Sequence, residues 1–139
     1  MAFRSIAQIA GSAMTAQTVR MNTISSNLAN AQSAAGTEAG VYRARKPVFS
    51  AIAQPGADGQ VAGARVQVLD VIESTEPARK VYEPGNPLAN ASGEVFYSNV
   101  NSVAEMTDML SASRAFETNV EVLGRVKAMQ NSLLRLGEG

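Results

Sequence analysis

The chain has no cysteine, no histidine and no tryptophan in 139 residues. Without cysteine there is no disulfide, no thiolate nucleophile and no Cys-ligated zinc. Without histidine the commonest general base and metal ligand is missing, so an enzyme here would need carboxylate, lysine or serine chemistry. The 12 acidic residues show neither metal-loop spacing nor a catalytic pair. Neither a P-loop nor a dinucleotide fingerprint occurs. These absences point to a protein that is not an enzyme, with no cofactor, no metal and no small-molecule substrate. Aromatic residues are 5 % of the chain, so large rings supply little core area, and an extended shape built from Ala, Val, Met and Leu is expected. Twelve basic residues balance the 12 acidic ones, leaving no net field to draw in nucleic acid or an anionic bilayer. No run approaches the ~18 apolar residues of a membrane span. Ser5, Gln8 and Ser12 interrupt the first twenty residues, where a secretory signal would be continuous. The expectation is a chain that is not membrane-embedded and keeps its N-terminus.

What is present is a pair of heptad patterns, one at each end. Residues 3–28 carry the rows Ala7, Met14, Met21, Leu28 and Phe3, Ala10, Gln17, Ile24, one stripe along a helix of ~39 Å. Residues 103–136 repeat the arrangement with Met109, Phe116, Leu123, Gln130 and Ala112, Asn119, Val126, Leu133, over ~50 Å. Val103, Met106 and Leu110 add an apolar turn on a shifted face. Ser102-Val103-Ala104-Glu105 reads as a capping box with Ser102 at the N-cap, and Gly137 stands where a C-terminal cap belongs. Gln17 and Asn119 are polar seam positions, and such a pair can set register.

The middle differs in kind. Residues 36–54 open on Gly and alternate loosely, as one or two short strands. Asp58-Gly59 is a hairpin signal. Residues 61–72 are rich in β-branched residues, with Val66, Val68, Asp70 and Ile72 expected on one face. Short extended pieces follow at 79–82 and 94–100. The predicted fold is mainly α with a β-rich insert. Long N- and C-terminal helices pair as a coiled coil, and a small β-rich middle domain lies between them. The domain reading is a discontinuous terminal unit, 1–30 with 101–139, and a middle unit, 31–100. Val19, Val120, Val122 and Leu134 lie off the seams, and exposed apolar surface on paired helices points to neighbours from other chains.

Two polar clusters bear on function. Tyr42-Arg43-Ala44-Arg45-Lys46 reads as an edge strand with Arg43 and Arg45 on one face, its cations discouraging edge-to-edge pairing. Ser25-Ser26-Asn27-Leu28-Ala29-Asn30 ends the first heptad segment. There Asn30 suits a left-handed helix end. Asn27 and Asn30 can also pair with other chains while Leu28 keys into the seam.

Asn27-Leu28-Ala29-Asn30 at the end of an N-terminal heptad helix resembles the signature of the flagellar rod and hook proteins. More specifically, "VYEPGNP" followed by "NVNSVAEMTDMLSASRAFETNVEVLGRVKAMQNSLLRLGEG" is similar to the proximal-rod subunits of that family. The resemblance implies a structural subunit of the bacterial flagellar basal body. Its terminal helices would face the axis of a tube and polymerise into a periplasm-spanning, torque-transmitting shaft. It implies self-assembly, other rod proteins such as FlgB, FlgF and FliE as partners, and passage through the flagellar type III export apparatus without signal cleavage. The implied assembly residues are Met14, Met21, Asn27, Leu28 and Asn30 on the first helix, with Met109, Phe116, Asn119, Leu123 and Val126 on the second. Alternatives are another rod protein of the same family, FlgB- or FlgF-like, or a helical-hairpin adaptor or export-chaperone-like binding protein.

Overall fold

The computed structural model describes residues 2–139. Two long helices, α1 (Ala2–Ala29) and α2 (Ser102–Gly137), bracket five strands: β1 (Ala34–Ala35), β2 (Arg45–Pro55), β3 (Val61–Glu73), β4 (Arg79–Tyr82) and β5 (Glu94–Tyr97). All pairing is antiparallel. β1, β5 and β4 form a three-stranded sheet in that order, and β2 with β3 forms a separate two-stranded ribbon.

α1 is built from Ala, Gln, Met and Ser, without proline. Its threonines would weaken it through χ1 restriction, but Thr15, Thr18 and Thr23 donate their hydroxyls to the carbonyls of Gly11, Met14 and Val19 one turn back. The two helices run antiparallel. Arg20 bonds Asp108, the Ser113 hydroxyl meets Met21 Sδ, and Phe3 lies against Met129 and Leu133. At 1.5 Å per residue, α2 is about 54 Å long against about 42 Å for α1, so its last turns pass beyond its partner. Each row expected on α1 is at least half-buried throughout. On α2 the rows are covered from Met109 to Val126 and then open to solvent at Gln130 and Leu133. This is helix-on-helix packing along the predicted stripe.

α1 has a second covered face that the heptads do not announce. Ser12 Oγ accepts the Val66 N–H at 3.0 Å on the outer edge of β3 and donates to Ile9 O at 2.8 Å. Ala16 and Thr23 are buried on this side. A helix thus covers the edge of β3, where unpaired backbone groups would otherwise invite another strand.

The ribbon turns at Asp58-Gly59 as expected, with Gly59 at φ +74. Its face is not the one expected. Phe49 pairs with Val68 but Val48 pairs with Asp70, leaving Leu69 over. This bulge puts Val66 and Val68 on the face of Ala51 and Phe49, and turns Asp70 and Ile72 to the face of Val48 and Lys46.

Several ends also differ from expectation. The N-cap of α2 is Asn101, whose Oδ1 accepts the Ala104 N–H at 3.2 Å. Ser102 is therefore already helical, and the capping box does not form. Gly137 continues the helix rather than capping it, and Asn30 is not left-handed, because no non-glycine residue among those described has positive φ. Asn30 instead returns its side-chain amide to Ser26 O at 2.9 Å. Arg43 lies before β2, not in it. It donates to Glu76 O at 3.0 Å and faces Glu38, whereas Arg45 sits over the Tyr42 ring and pairs with Glu73 at 3.1 Å. The two cations thus do not share a strand face.

The loop from Glu83 to Gly93 is held by its own polar groups. Glu83 Oε2 accepts from Asn86 Nδ2 at 2.8 Å and from the Tyr97 hydroxyl at 2.9 Å, and Asn90 Oδ1 accepts the N–H groups of Ser92 and Glu94. The Asn86 bond first, then Tyr97, holds the Glu83 carboxyl below its ordinary 4.5, and the bond to Glu83 pushes the Tyr97 hydroxyl above its ordinary 10.0. A depressed carboxyl stabilises the fold when ionised. That contribution is complete above the unfolded-chain value and fades as pH falls through the lowered folded value. The raised phenol acts in the opposite direction. Its contribution is whole below the unfolded value and is lost as pH rises through the folded one. Asn86→Ala is expected to move the Glu83 titration up toward its ordinary value, and Tyr97→Phe to move it less, both followed by carboxyl NMR. An unmoved Glu83 in Asn86→Ala would refute this account.

Candidate assembly surface

Asn27 is the most enclosed polar residue of the expected set, at 1 % exposure. It sits in the last turns of α1, and its amide is fully engaged with the approach to β2. Nδ2 donates to Arg45 O at 2.8 Å, and Oδ1 accepts the Arg45 N–H at 2.9 Å and the Tyr42 hydroxyl at 2.8 Å. Within the subunit, this amide thus directs its bonds to its own chain. It does for a strand what another strand would do, closing both backbone groups of Arg45. A second asparagine works in the same way. Asn99 Oδ1 accepts the Ala44 N–H at 2.7 Å and its Nδ2 donates to Glu76 O at 2.9 Å. Together these two amides fix the segment entering the ribbon between α1 and the strand leading to α2. Sequence reading missed Asn99. Its signal was only a second asparagine just ahead of a helix start, easily taken for a cap.

Leu28 is half-buried in the last turn of α1, beside the Asn27 clamp. Met14 and Met21 are half-buried on the same helix, as are Met109, Phe116, Asn119 and Leu123 on α2, and Val126 is buried. The helix pairing thus collects Met21 and the middle of α2, but not all ten residues into one patch. The expected Gln17–Asn119 contact is absent. Gln17 Oε1 accepts from Arg20 at 3.3 Å, and Asn119 Nδ2 returns to Ala115 O at 2.8 Å. Register between the helices is marked instead by Arg20 and Asp108, which meet through two guanidinium–carboxylate bonds across 88 positions of sequence. The bidentate geometry makes this pair more directional than a lone surface ion pair.

The other side of α2 is uncovered. Val103, Met106 and Leu110 are 74 %, 57 % and 63 % exposed, at the i, i+3, i+7 spacing of one helical stripe. Val120 and Met129 are also open. Level with Phe3 and past the start of α1, Leu133, Leu134 and Leu136 reach 53 %, 68 % and 78 %. Scattered exposed apolar residues are ordinary on a monomer, but two organised groups along one helix form a surface suited to association. Among the described residues no helix is long and apolar enough to cross a membrane.

Known proteins align with both ends and the whole length of this chain. Residues 8–34 match the family model described as flagella basal body rod protein. Residues 91–136 match that of the flagellar basal body rod FlgEFG protein C-terminal region. A flagellar basal-body rod protein FlgC of Escherichia coli O6:H1 is 51 % identical over 138 residues, 99 % of this chain and 100 % of that one. The protein of that name from Salmonella typhimurium is 49 % identical with the same coverage. The Bacillus subtilis one is 36 % identical over 150 residues, covering 99 % of each chain.

Proposed function

This chain belongs to the FlgC family of flagellar basal-body rod proteins, structural subunits of the flagellum, and from that premise we propose that it builds the proximal rod through its two terminal helices. The observation that carries this reading is the uncovered apolar face of α2. Val103, Met106 and Leu110 at one end and the three leucines at the other need covering, and α1 covers neither group. Neighbouring terminal helices bury such stripes. A heterologous contact repeated by a screw operation gives a tube rather than a closed dimer. The helix pair tightens into a coiled coil under these contacts, with residues 1–30 and 101–139 as the terminal unit and 31–100 as the outer, β-rich unit. Met14, Met21, Leu28, Asn30, Met109, Phe116, Asn119, Leu123 and Val126 act as assembly residues, directly or by holding the seam. Asn27 acts by anchoring β2 to α1. The partners are further copies of the chain and the rod proteins FlgB, FlgF and FliE. The subunit leaves the cytoplasm through the flagellar type III export apparatus without signal cleavage and acts without cofactor or catalysis in a shaft that transmits torque across the periplasm.

Leu28→Asp tests the reading. A carboxylate placed in an apolar contact and cut off from water costs several kcal/mol, so the variant is expected in the periplasm at near-normal amount but lost from purified basal bodies. Normal incorporation would remove Leu28 from the interface. Discrete particles of wild-type chain at high concentration, with none in basal bodies, would favour an adaptor instead.

A further inference from the structure

Glu105, in the first turn of α2, is 8 % exposed and yet takes part in no ion pair among the described residues. Its oxygens are not sealed in, since Ser33 Oγ is the only fully covered side-chain polar atom without a hydrogen-bond partner among those residues. The carboxylate therefore has a buried stem and a head that opens on a cleft. That cleft, about 370 Å³, lies where α1, α2 and the start of β2 meet, and is lined by Arg20, Lys46, Pro47, Phe49, Glu105 and Asp108. Arg20 and Asp108 are committed to each other, and Arg20 also to Gln17. Lys46 is exposed and shares the cleft, but its ammonium does not come within ion-pair distance of Glu105.

The stem of Glu105 is buried while its head faces the cleft in the first turn of α2, where the helix dipole favours a negative charge, and no cation of its own subunit meets it. A metal ion does not suit this cleft. Hard cations take six or more oxygens, and here one free carboxylate stands beside a guanidinium and an ammonium. A cationic side chain suits it better. The wall of Phe49 and Pro47 favours a planar guanidinium, which stacks on aromatic faces and is more weakly hydrated than an ammonium.

We propose that Glu105 receives an arginine side chain from a neighbouring rod subunit, seated in the cleft against Phe49. The inference rests on the rod-subunit reading and names the chemistry of one contact in it. The isolated subunit carries half of an ion pair, and assembly supplies the other half. A single carboxylate then discriminates between neighbours that present an arginine at this height and those that do not.

Two consequences differ in size and can be measured on the full chain. Glu105→Gln removes a charge that faces the cleft and forgoes only a small helix-dipole contribution, so the melting temperature of the purified subunit is expected to stay within a few degrees of wild type. The same variant is expected to fall at least tenfold in purified basal bodies. Lys46→Met is expected to incorporate normally. A photo-cross-linking phenylalanine analogue at position 49, activated in intact basal bodies, is expected to capture an arginine-containing peptide from another chain. A melting temperature lowered by more than about 5 °C in Glu105→Gln would mean the carboxylate works inside its own subunit, and would overturn the proposal. So would normal incorporation of Glu105→Gln, loss of incorporation in Lys46→Met, or cross-links only within the chain or to peptides without arginine. Wild-type chain missing from basal bodies would instead sink the rod reading itself, so the two failures are distinguishable.

Discussion

Asn27→Leu is expected to lower the stability of the subunit by about 3–5 kcal/mol, because each buried polar group left unpaired costs roughly 1–3 kcal/mol. Leucine keeps the branched skeleton of asparagine and suits the helix, so propensity does not explain such a loss, and its bulkier methyls add to it rather than offset it. What is lost is the closure of the N–H and C=O of Arg45, and the hydroxyl of Tyr42 keeps only its longer contact to Ser26 Oγ at 3.2 Å. For a chain of this length the change corresponds to a fall of roughly 10–20 °C in melting temperature. Tyr42→Phe removes one of the three bonds and should cost about 1 kcal/mol. Thermal unfolding by circular dichroism checks both. If Asn27→Leu proves no worse than Tyr42→Phe, the backbone of Arg45 has found other partners and the clamp is not what joins the ribbon to α1.

Gly93→Val is the second large effect, expected at about 2–5 kcal/mol. Gly93 takes φ +74, where a Cβ costs roughly 1–2 kcal/mol. It is also crowded. A Cβ there would stand 2.8 Å from Tyr82 Cε2 and 3.2 Å from Pro84 Cβ, and overpacking of this kind adds about 1–3 kcal/mol. Gly59 offers the comparison. It has the same φ, but a Cβ would meet nothing within 4 Å. Gly59→Ala should therefore show the conformational cost alone, about 1–2 kcal/mol. Urea unfolding of the two variants separates strain from crowding. Equal losses would show that the contacts around Gly93 yield freely, and that the 83–93 loop is less firmly set than its hydrogen bonds indicate.

The parts of this fold that were legible in the sequence are those with a repeating apolar signal. Both helices lie where the heptads place them, since a stripe repeated over about seven to nine turns admits little else. The ribbon and its turn follow from β-branched residues around Asp58-Gly59. The second face of α1 was not legible, because it meets the β2–β3 ribbon through small or polar residues, Ser12 on β3 and Asn27 on β2 with Ala16 and Thr23 buried between them, which carry no hydrophobic period. β1 is two alanines and exists only because β5 offers them partners. The bulge at Leu69 turns two expected residues over, and its one mark is on the facing strand, where Pro47 immediately precedes the register shift. At the start of α2, Asn101 and Ser102 are both good N-caps, and the choice between them depends on a one-residue difference that composition does not carry. Among the candidate assembly residues, the hydrophobic ones could be read from periodicity. The polar ones could not, because Asn27 answers a backbone 18 positions away and Arg20 a carboxylate 88 positions away.

The antiparallel course of the helices brings the start of α1 and the end of α2 to one end of the molecule. The turn of the ribbon lies there too, since Gln54, Pro55, Gly56 and Ala57 border Ala2 and Arg4. The 83–93 loop belongs to the far end, where Leu88 approaches Gly36 just past the close of α1. A fluorophore at the start of α1 or the end of α2 therefore reports on the same region as one at Asp58, whereas a probe at Leu88 lies roughly the 42 Å length of α1 away. The subunit is thus a ready-made molecular ruler. Energy transfer from position 58 to either helix end should be stronger than to position 88, and in labelled rods the same dye pairs would give the polarity with which each subunit points along the shaft.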